Sequence, residues 1–244
     1  MRVKAVCFDI DGTLYSKWQT SWKLIGSFWP SPRLAFHYQR FRRVVRDEVD
    51  IPTVPENLEG FRRRQAAWIV KDLGLDPTEH AILAMEARIE KQFYSSWKRT
   101  FSKLTPYQGM REAIQRFQAK GCRIGILSDF PVETKLKTLG IDDLIDFACC
   151  SEESGYLKPH PKPFHLLARQ LGLEFEEMVY VGDSYHKDIL GAASLGMRTC
   201  LISPKAKLKR LNSAWMQAYP MAGCICGDYR ELSEMVETMI DGGV

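Results

Sequence analysis

Two aspartates, Asp9 and Asp11, are separated by one isoleucine and followed at once by a glycine and a threonine. They come directly after the apolar, β-branched run 3–8, which predicts a buried strand that ends at a turn. Two carboxylates spaced in this way can face one pocket, while the glycine lets the backbone turn tightly. Such a pair can supply a nucleophile and a proton carrier.

Further polar side chains follow later predicted strands. Ser128 and Asp129 come after one apolar run, and Asp183 comes after another. Lys158 lies between them in a Gly-Tyr-Leu-Lys-Pro loop. Because ligands bind at the carboxyl ends of parallel strands, we expect these side chains to meet at one edge of a sheet.

Each feature also has an ordinary structural explanation. An Asp-x-Asp-Gly sequence is often only a turn at the end of a strand. Ser128 and Asp129, like Asp183 and its neighbours, could cap a helix, and Lys158 could be a solvated loop lysine. If the ordinary explanations held for all of these residues, the residues would imitate one catalytic set in the same order by chance. The chemical interpretation is therefore the better one.

The elements that position these residues alternate between helix and strand after Pro106. Helices are predicted over 109–120, 132–139, 163–171, 186–195 and 230–240, and strands over 123–127, 147–150, 178–181, 198–202 and 224–226. This alternation predicts right-handed βαβ units. The expected fold class is α/β, with a Rossmann-like, doubly wound parallel sheet.

Residues 16–104 differ, because strand patterns give way to helical periodicity. Leu34, Tyr38, Phe41 and Val45 form one apolar stripe, and prolines mark several boundaries. We expect three or four helices here. The predicted domains are a core of residues 1–15 and 105–244 and a smaller, all-helical cap of residues 16–104.

The Asp9-Ile10-Asp11-Gly12-Thr13 motif, followed in order by Ser128, Lys158 and Asp183, resembles the haloacid dehalogenase superfamily. The insert after the first motif resembles the helical cap of its phosphoglycolate phosphatase-like subgroup, so the resemblance covers nearly the whole chain. It implies a phosphatase in which Asp9 attacks phosphorus to form a phosphoaspartate. It also implies that Asp11 protonates the leaving alcohol and later deprotonates the hydrolytic water.

The same resemblance implies the phosphate and metal sites. Ser128, Asp129 and Lys158 match the phosphate-binding positions, although Asp129 stands where asparagine is frequent, which puts its side-chain contact in doubt. A phosphoryl group beside carboxylates needs a hard cation, and Mg²⁺ fits oxygen ligands. By resemblance, Asp9, the Asp11 carbonyl and Asp183 hold this ion, with Asp188 in support.

Other functions stay open on the same fold. A dehalogenase also uses the first aspartate as nucleophile, but a halide needs no protonation, so Asp11 argues against it. A phosphomutase and a phosphonate hydrolase share the core and differ in cap residues that the sequence does not assign. A non-catalytic binding protein is a further alternative, and the intact set of Asp9, Asp11, Ser128, Lys158 and Asp183 argues against it.

Composition and charge limit the partners. The formal net charge of +4 is too small to predict nucleic-acid binding but suits a small phosphorylated substrate. The longest apolar runs are strand-sized, and the amino terminus lacks a signal-peptide pattern, so we expect a cytoplasmic monomer or homodimer that does not bind a membrane. The 7 cysteines, without C-x-x-C spacing, are expected to be free and mostly buried thiols.

Two further groups of residues lie in the predicted cap. Trp18, Trp22, Phe28 and Trp29 could line a substrate entrance or pack the cap onto the core. Arginines crowd two of its helices at positions 40, 42, 43, 46 and 62–64. We expect these arginines to form solvated helix faces.

Overall fold

The computed structural model describes residues 2–26, 28–48, 54–203 and 217–242. Its centre is a six-stranded sheet with the order β3-β2-β1-β4-β5-β6, in which every neighbouring pair is parallel. The strands are β1 (Ala5–Phe8), β2 (Arg123–Ser128), β3 (Phe147–Cys150), β4 (Met178–Gly182), β5 (Arg198–Ile202) and β6 (Cys224–Cys226). The predicted α/β fold with a doubly wound parallel sheet is confirmed.

Strand β1 lies in the middle of this sheet, and all four of its residues are buried. It pairs with β2 on one side and β4 on the other, with Phe8 opposite Ile126 and Val181. The strand order reverses between β1 and β4, which is where open α/β sheets bind ligands. Residues just after Phe8 therefore occupy the position that the fold favours for a site.

Helices cover the sheet and fill the predicted insert. They are α1 (Trp18–Gly26), α2 (Pro32–Arg46), α3 (Leu58–Asp72), α4 (Glu79–Ile89), α5 (Ser95–Phe101), α6 (Met110–Ala119), α7 (Glu133–Leu139), α8 (Pro161–Leu171), the short α9 (Gly191–Ala193) and α10 (Tyr229–Ile240). A π-helical turn, Glu90–Tyr94, joins α4 to α5 without a break. In the described part of 16–104 this makes four continuous helical stretches, as expected.

The helix predicted over 186–195 is wrong in its detail. A π-helical turn, Tyr185–Leu190, comes first, and the short α9 follows. Both Asp188 and Ile189 donate their backbone N–H to the Ser184 carbonyl oxygen, so the turn is wider than an α-helical one. Wide turns of this kind often occur at functional sites, and this one carries Asp188.

Apolar side chains pack on both faces of the sheet. One cluster joins residues of the sheet, α6 and α10 to apolar side chains of the insert, including Tyr38, Phe41 and Trp97. The other packs Phe164 and Leu167 of α8 against the opposite face. Because the first cluster runs from the sheet into the insert, burial of apolar surface holds the insert against the core.

Helices α1 to α5 fall within residues 16–104, the range predicted for the cap. The division of the chain into a core and a separate cap domain stays a prediction. Across the residues that the structure describes, no helix combines the length and the apolar character that crossing a bilayer requires.

The cysteine prediction is wrong for two residues. Cys200 and Cys224 form a disulfide, because they lie opposite each other in the β5–β6 pairing with their Cα atoms 4.7 Å apart. The prediction of buried free thiols is confirmed for the others, which are Cys7, Cys122, Cys149, Cys150 and Cys226. Sequence spacing could not show the pairing, since it depends on the register of two strands.

Candidate active site

Asp9 is the first residue after β1, and it is buried with 5% of its surface exposed. Its backbone N–H donates to the Val181 carbonyl oxygen at 2.9 Å, which extends the sheet pairing and fixes its position. Lys158 Nζ donates to its Oδ1 at 2.7 Å, and Thr13 Oγ1 donates to its Oδ2 at 3.2 Å. Burial raises the pKa of the Asp9 carboxyl, and the Lys158 ammonium opposes this rise.

The turn after Asp9 depends on Gly12. This glycine has a φ of 100°, in the left-handed region that favours glycine. A Cβ atom at this position would also overlap the Asp183 carboxylate. The glycine therefore lets the first loop approach the loop that follows β4.

Asp11 lies in the same turn and is partly buried, with both carboxylate oxygens engaged. Tyr15 donates its hydroxyl to Oδ1. Ser128 Oγ donates to Oδ2 at 3.0 Å, and Lys135 Nζ donates to the same oxygen at 2.6 Å. Burial would raise the pKa of Asp11, but Lys135 and the hydrogen bonds outweigh burial and lower it.

Ser128 ends β2 and Asp129 follows it, both buried. Asp129 Oδ2 accepts from Arg46 Nη1 at 2.8 Å and lies 3.7 Å from Lys187 Nζ. Burial alone would raise the pKa of Asp129, but Arg46 and Lys187 bring it well below its usual range. Phosphate binding by Asp129 stays a prediction, and its carboxylate already pairs with Arg46.

Lys158 is fully buried, which rules out the solvated loop lysine. Besides Asp9, its Nζ lies within hydrogen-bonding distance of Asp188 Oδ1 (2.7 Å), the Leu127 carbonyl (3.0 Å) and the Tyr180 hydroxyl (3.0 Å). Burial would lower the pKa of this ammonium, but Asp188 and Asp9 raise it well above its usual range. Lys158 is therefore a fixed positive charge behind the Asp9 carboxylate.

Asp9, Asp183 and Asp188 form an acidic cluster in which one oxygen from each lies within 4.8 Å of the others. Burial raises the pKa of Asp183. Lys17, whose Nζ lies 2.5 Å from Asp183 Oδ2, opposes this rise. Within the described ranges, Asp183 Oδ1 is buried without a hydrogen-bond partner. Hard carboxylate oxygens grouped in this way, one of them unsatisfied, fit a divalent cation such as Mg²⁺.

The prediction of solvated arginine faces is wrong for Arg42, Arg46, Arg62 and Arg64. Arg42 is buried and pairs with the buried Glu152, which Arg62 also contacts at 3.1 Å. The other two donate to core carbonyl oxygens, Arg46 to that of Lys158 and Arg64 to that of Gly155. These helix faces meet an acidic core residue and free loop carbonyls, which the local sequence does not show.

The prediction is confirmed for the other arginines of the group, Arg40, Arg43 and Arg63, which are exposed. In the aromatic group, Trp18, Trp22 and Trp29 are also exposed. Phe28 packs edge-on against Phe93 with ring centroids 5.9 Å apart. Packing within the insert therefore accounts for only one member of the aromatic group.

Sequence reasoning named the residues at the strand ends, and the structure brings them together at one edge of the sheet. It missed Lys135 and Tyr15, which contact Asp11, and Lys17, which contacts Asp183. A signal existed for Lys135, because it stands three residues after Val132 and four before Leu139, on the apolar face of α7. A lysine at such a position requires a buried partner.

Known proteins resemble this chain in sequence and in fold. A family model for the haloacid dehalogenase-like hydrolases matches residues 3–196. Glyceraldehyde 3-phosphate phosphatase of Methanopyrus kandleri is 32% identical over 211 residues, which are 82% of this chain and 84% of that protein. Pyrophosphatase PpaX of Bacillus cereus is 30% identical over 222 residues, 90% of each chain. The crystal structure of a 2-haloacid dehalogenase from Pseudomonas syringae has the same fold, with a TM-score of 0.62 at 22% identity over 96% of this chain and 98% of that one.

Proposed function

This chain belongs to the haloacid dehalogenase-like hydrolases, as its motifs predicted, and we propose that it is a Mg²⁺-dependent phosphomonoester hydrolase. Its substrate is a small phosphorylated metabolite, and the reaction passes through a phosphoaspartate on Asp9. The observation that carries this proposal is the pairing of the buried Asp9 with the buried Lys158 at the switch point of the sheet, next to the partly buried Asp11. Relatives whose names describe phosphatases and a pyrophosphatase support the same class of substrate.

The two aspartates divide the chemistry between them. In the first step an oxygen of Asp9 bonds to phosphorus, the bond from phosphorus to the alcohol oxygen breaks, and Asp11 gives that oxygen a proton. In the second step Asp11 takes a proton from water, the water oxygen bonds to phosphorus, and the bond to Asp9 breaks. The products are the alcohol and inorganic phosphate.

The protonation of Asp11 depends on the bound substrate. In the protein alone, Lys135 lowers the pKa of Asp11 and favours its carboxylate form. A phosphoryl dianion beside this carboxylate raises the pKa again, because like charges disfavour ionisation. Substrate binding therefore supplies the condition under which Asp11 takes up the proton that it later donates.

Buried cations offset the negative charge of the reaction. Lys158 lies 2.7 Å from Asp9 and neutralises part of the charge that the phosphoryl group brings to it. Ser128 offers a hydroxyl at the end of the neighbouring strand β2. When bound, Mg²⁺ would be held by Asp9, the Asp11 carbonyl and Asp183, with Asp188 in support, and would supply further charge neutralisation.

The helical insert, residues 16–104, is proposed to act as a cap that selects the substrate. Arg42 and Arg46 of α2 reach the loops that carry Asp129 and Lys158, so the insert lies directly over the site.

A dehalogenase remains the poorer alternative, because a halide leaving group gives Asp11 no role.

We expect the purified protein to hydrolyse at least one member of a panel of small phosphorylated metabolites, including glyceraldehyde 3-phosphate, pyrophosphate and sugar phosphates. Turnover should require Mg²⁺ and stop in excess chelator. Asp183→Asn should need more Mg²⁺ for half-maximal activity, since it replaces a charged carboxylate ligand with a neutral amide. Asp76→Asn, at an exposed position far along the chain, is the control. A flat response across the panel would favour the binding-protein alternative.

A further inference from the structure

Lys135 is a fully buried lysine in the middle of α7. Lysine is almost never fully buried unless its charge has a partner. The side chain shares its helix face with Leu139 and Val132, both of which are buried in the main apolar cluster. A methionine or leucine would fill this position at lower cost, so the ammonium group needs an explanation.

The Lys135 ammonium contacts the carboxylate that we assign to proton transfer. Its Nζ lies 2.6 Å from Asp11 Oδ2 and 3.3 Å from Ser128 Oγ. On its other side lie two aromatic rings, with Nζ 4.5 Å from the ring centroid of Phe101 and 5.6 Å from that of Phe130. Aromatic faces attract a cation but do not cancel its charge, so Asp11 is the counterion.

Together, the contacts of Asp11 fix the direction of its carboxyl group. Tyr15 holds one oxygen, and Lys135 with Ser128 holds the other. Proton transfer to a leaving oxygen requires the donor to lie within hydrogen-bonding distance and in line, and small displacements cost large factors in rate. Without Lys135, the short Asp11 side chain keeps only neutral hydrogen-bond partners.

We propose that Lys135 is a positioning residue that holds Asp11 in place to protonate the leaving group. This inference rests on the proposed phosphatase function and adds a residue that the sequence motifs do not contain. Phe101 belongs to α5 of the insert, so the ammonium is also covered from the cap side.

A purely structural role and a positioning role of Lys135 lead to different expected kinetics. Loss of a structural contact lowers the activity equally for all substrates. Loss of proton donation affects poor leaving groups most, because good leaving groups depart without protonation. The dependence of the first chemical step on the leaving group therefore separates the two roles.

The experiment measures kcat/KM with Mg²⁺ for a series of aryl phosphates from para-nitrophenyl to unsubstituted phenyl phosphate. We expect Lys135→Met to lose roughly 10-fold more activity on phenyl phosphate than on para-nitrophenyl phosphate, a fraction of the factor that general acid catalysis contributes. Asp11→Asn should show the same trend more steeply. Lys135→Arg, which keeps the charge, should restore part of the wild-type dependence.

Lys137→Met is the matched control, because Lys137 is exposed on the same helix. Circular dichroism and thermal unfolding establish that each variant is folded, and Lys135→Gln replaces Lys135→Met if the latter is not. Equal losses on all aryl phosphates, or no recovery with Lys135→Arg, would overturn the role of Lys135 alone. If the wild-type protein hydrolyses neither these aryl phosphates nor any member of the metabolite panel, the proposed phosphatase function falls as well.

Discussion

Asp129 is a buried carboxylate whose charge is balanced by residues from other parts of the chain. Arg46 comes from α2 of the insert, and Lys187 comes from the turn that also carries Asp188. An asparagine, frequent at this position in the family that the chain resembles, would leave Arg46 without a carboxylate partner. The acidic side chain therefore makes a charged contact between the end of β2 and the insert.

The ion pair at Asp129 should make stability depend on pH. Because the pKa of Asp129 is lower in the folded protein, its ionised form stabilises the fold at neutral pH. This contribution is present above the unfolded pKa of about 3.9 and is lost as the pH falls. We expect Asp129→Asn to be less stable than the wild-type protein at neutral pH, with the difference shrinking below about pH 4.

Urea unfolding at several pH values measures this difference, with Asp76→Asn as an exposed control. If the free energy of unfolding changes with pH in the same way for the wild-type protein and Asp129→Asn, the assignment of the lowered pKa to Asp129 is contradicted.

At the scale of elements, α2 and α3 are bound to the segment after β3 by a buried ionic cluster. Arg42 and Arg62 both contact Glu152, which is fully buried, and Tyr94 donates to Glu152 Oε1 at 2.9 Å. A buried ion pair of this kind stabilises a fold little more than apolar residues of the same shape would. Removing one partner, however, leaves the other charge buried without full compensation. The cluster therefore fixes one arrangement of the insert on the core.

Removing one member of this cluster should be costly. Arg42→Met leaves Glu152 buried with a weaker partner, and we expect a loss of about 3–5 kcal/mol in the free energy of unfolding. Arg43→Met, at the exposed neighbouring position, should change it by less than about 0.5 kcal/mol. Equilibrium urea unfolding measures both values.

The double variant Arg42→Met with Glu152→Gln tests the cause of that loss. It should be more stable than Arg42→Met alone, because the buried carboxylate that Arg42 helped to neutralise is gone. Additive losses in the two single variants would show that the contact is not an obligate ion pair.

For the molecule as a whole, the strand pattern was enough to predict the sheet and the edge where the polar residues gather. Asp9 and Asp183 each follow a strand directly and Ser128 ends one, and parallel strands bring their carboxyl ends to one edge whatever the loops do. That part of the site follows from local sequence and from one rule of topology.

The contacts in the rest of the site could not be predicted, because they join distant segments of the chain. Arg42 and Glu152 are 110 positions apart, and Lys135 and Asp11 are 124 apart. A charged residue on a helix indicates solvent when it is considered alone, and only the packed fold supplies the partner that makes its burial favourable. The Cys200–Cys224 disulfide was missed for the same reason, since it follows from strand register.

The central claim is that Asp9 carries the phosphoryl group between the two steps. The most direct measurement is the intact mass of the protein after rapid quenching of a reaction with Mg²⁺ and substrate, followed by peptide mapping. The Asp11→Asn variant with para-nitrophenyl phosphate helps, because this good leaving group departs without protonation, whereas the second step should be slow without its proton carrier. We predict a mass gain of one phosphoryl group located on Asp9. In Asp9→Asn we predict neither a mass gain nor turnover. A phosphoryl group on another residue, or full turnover by Asp9→Asn, would contradict the account.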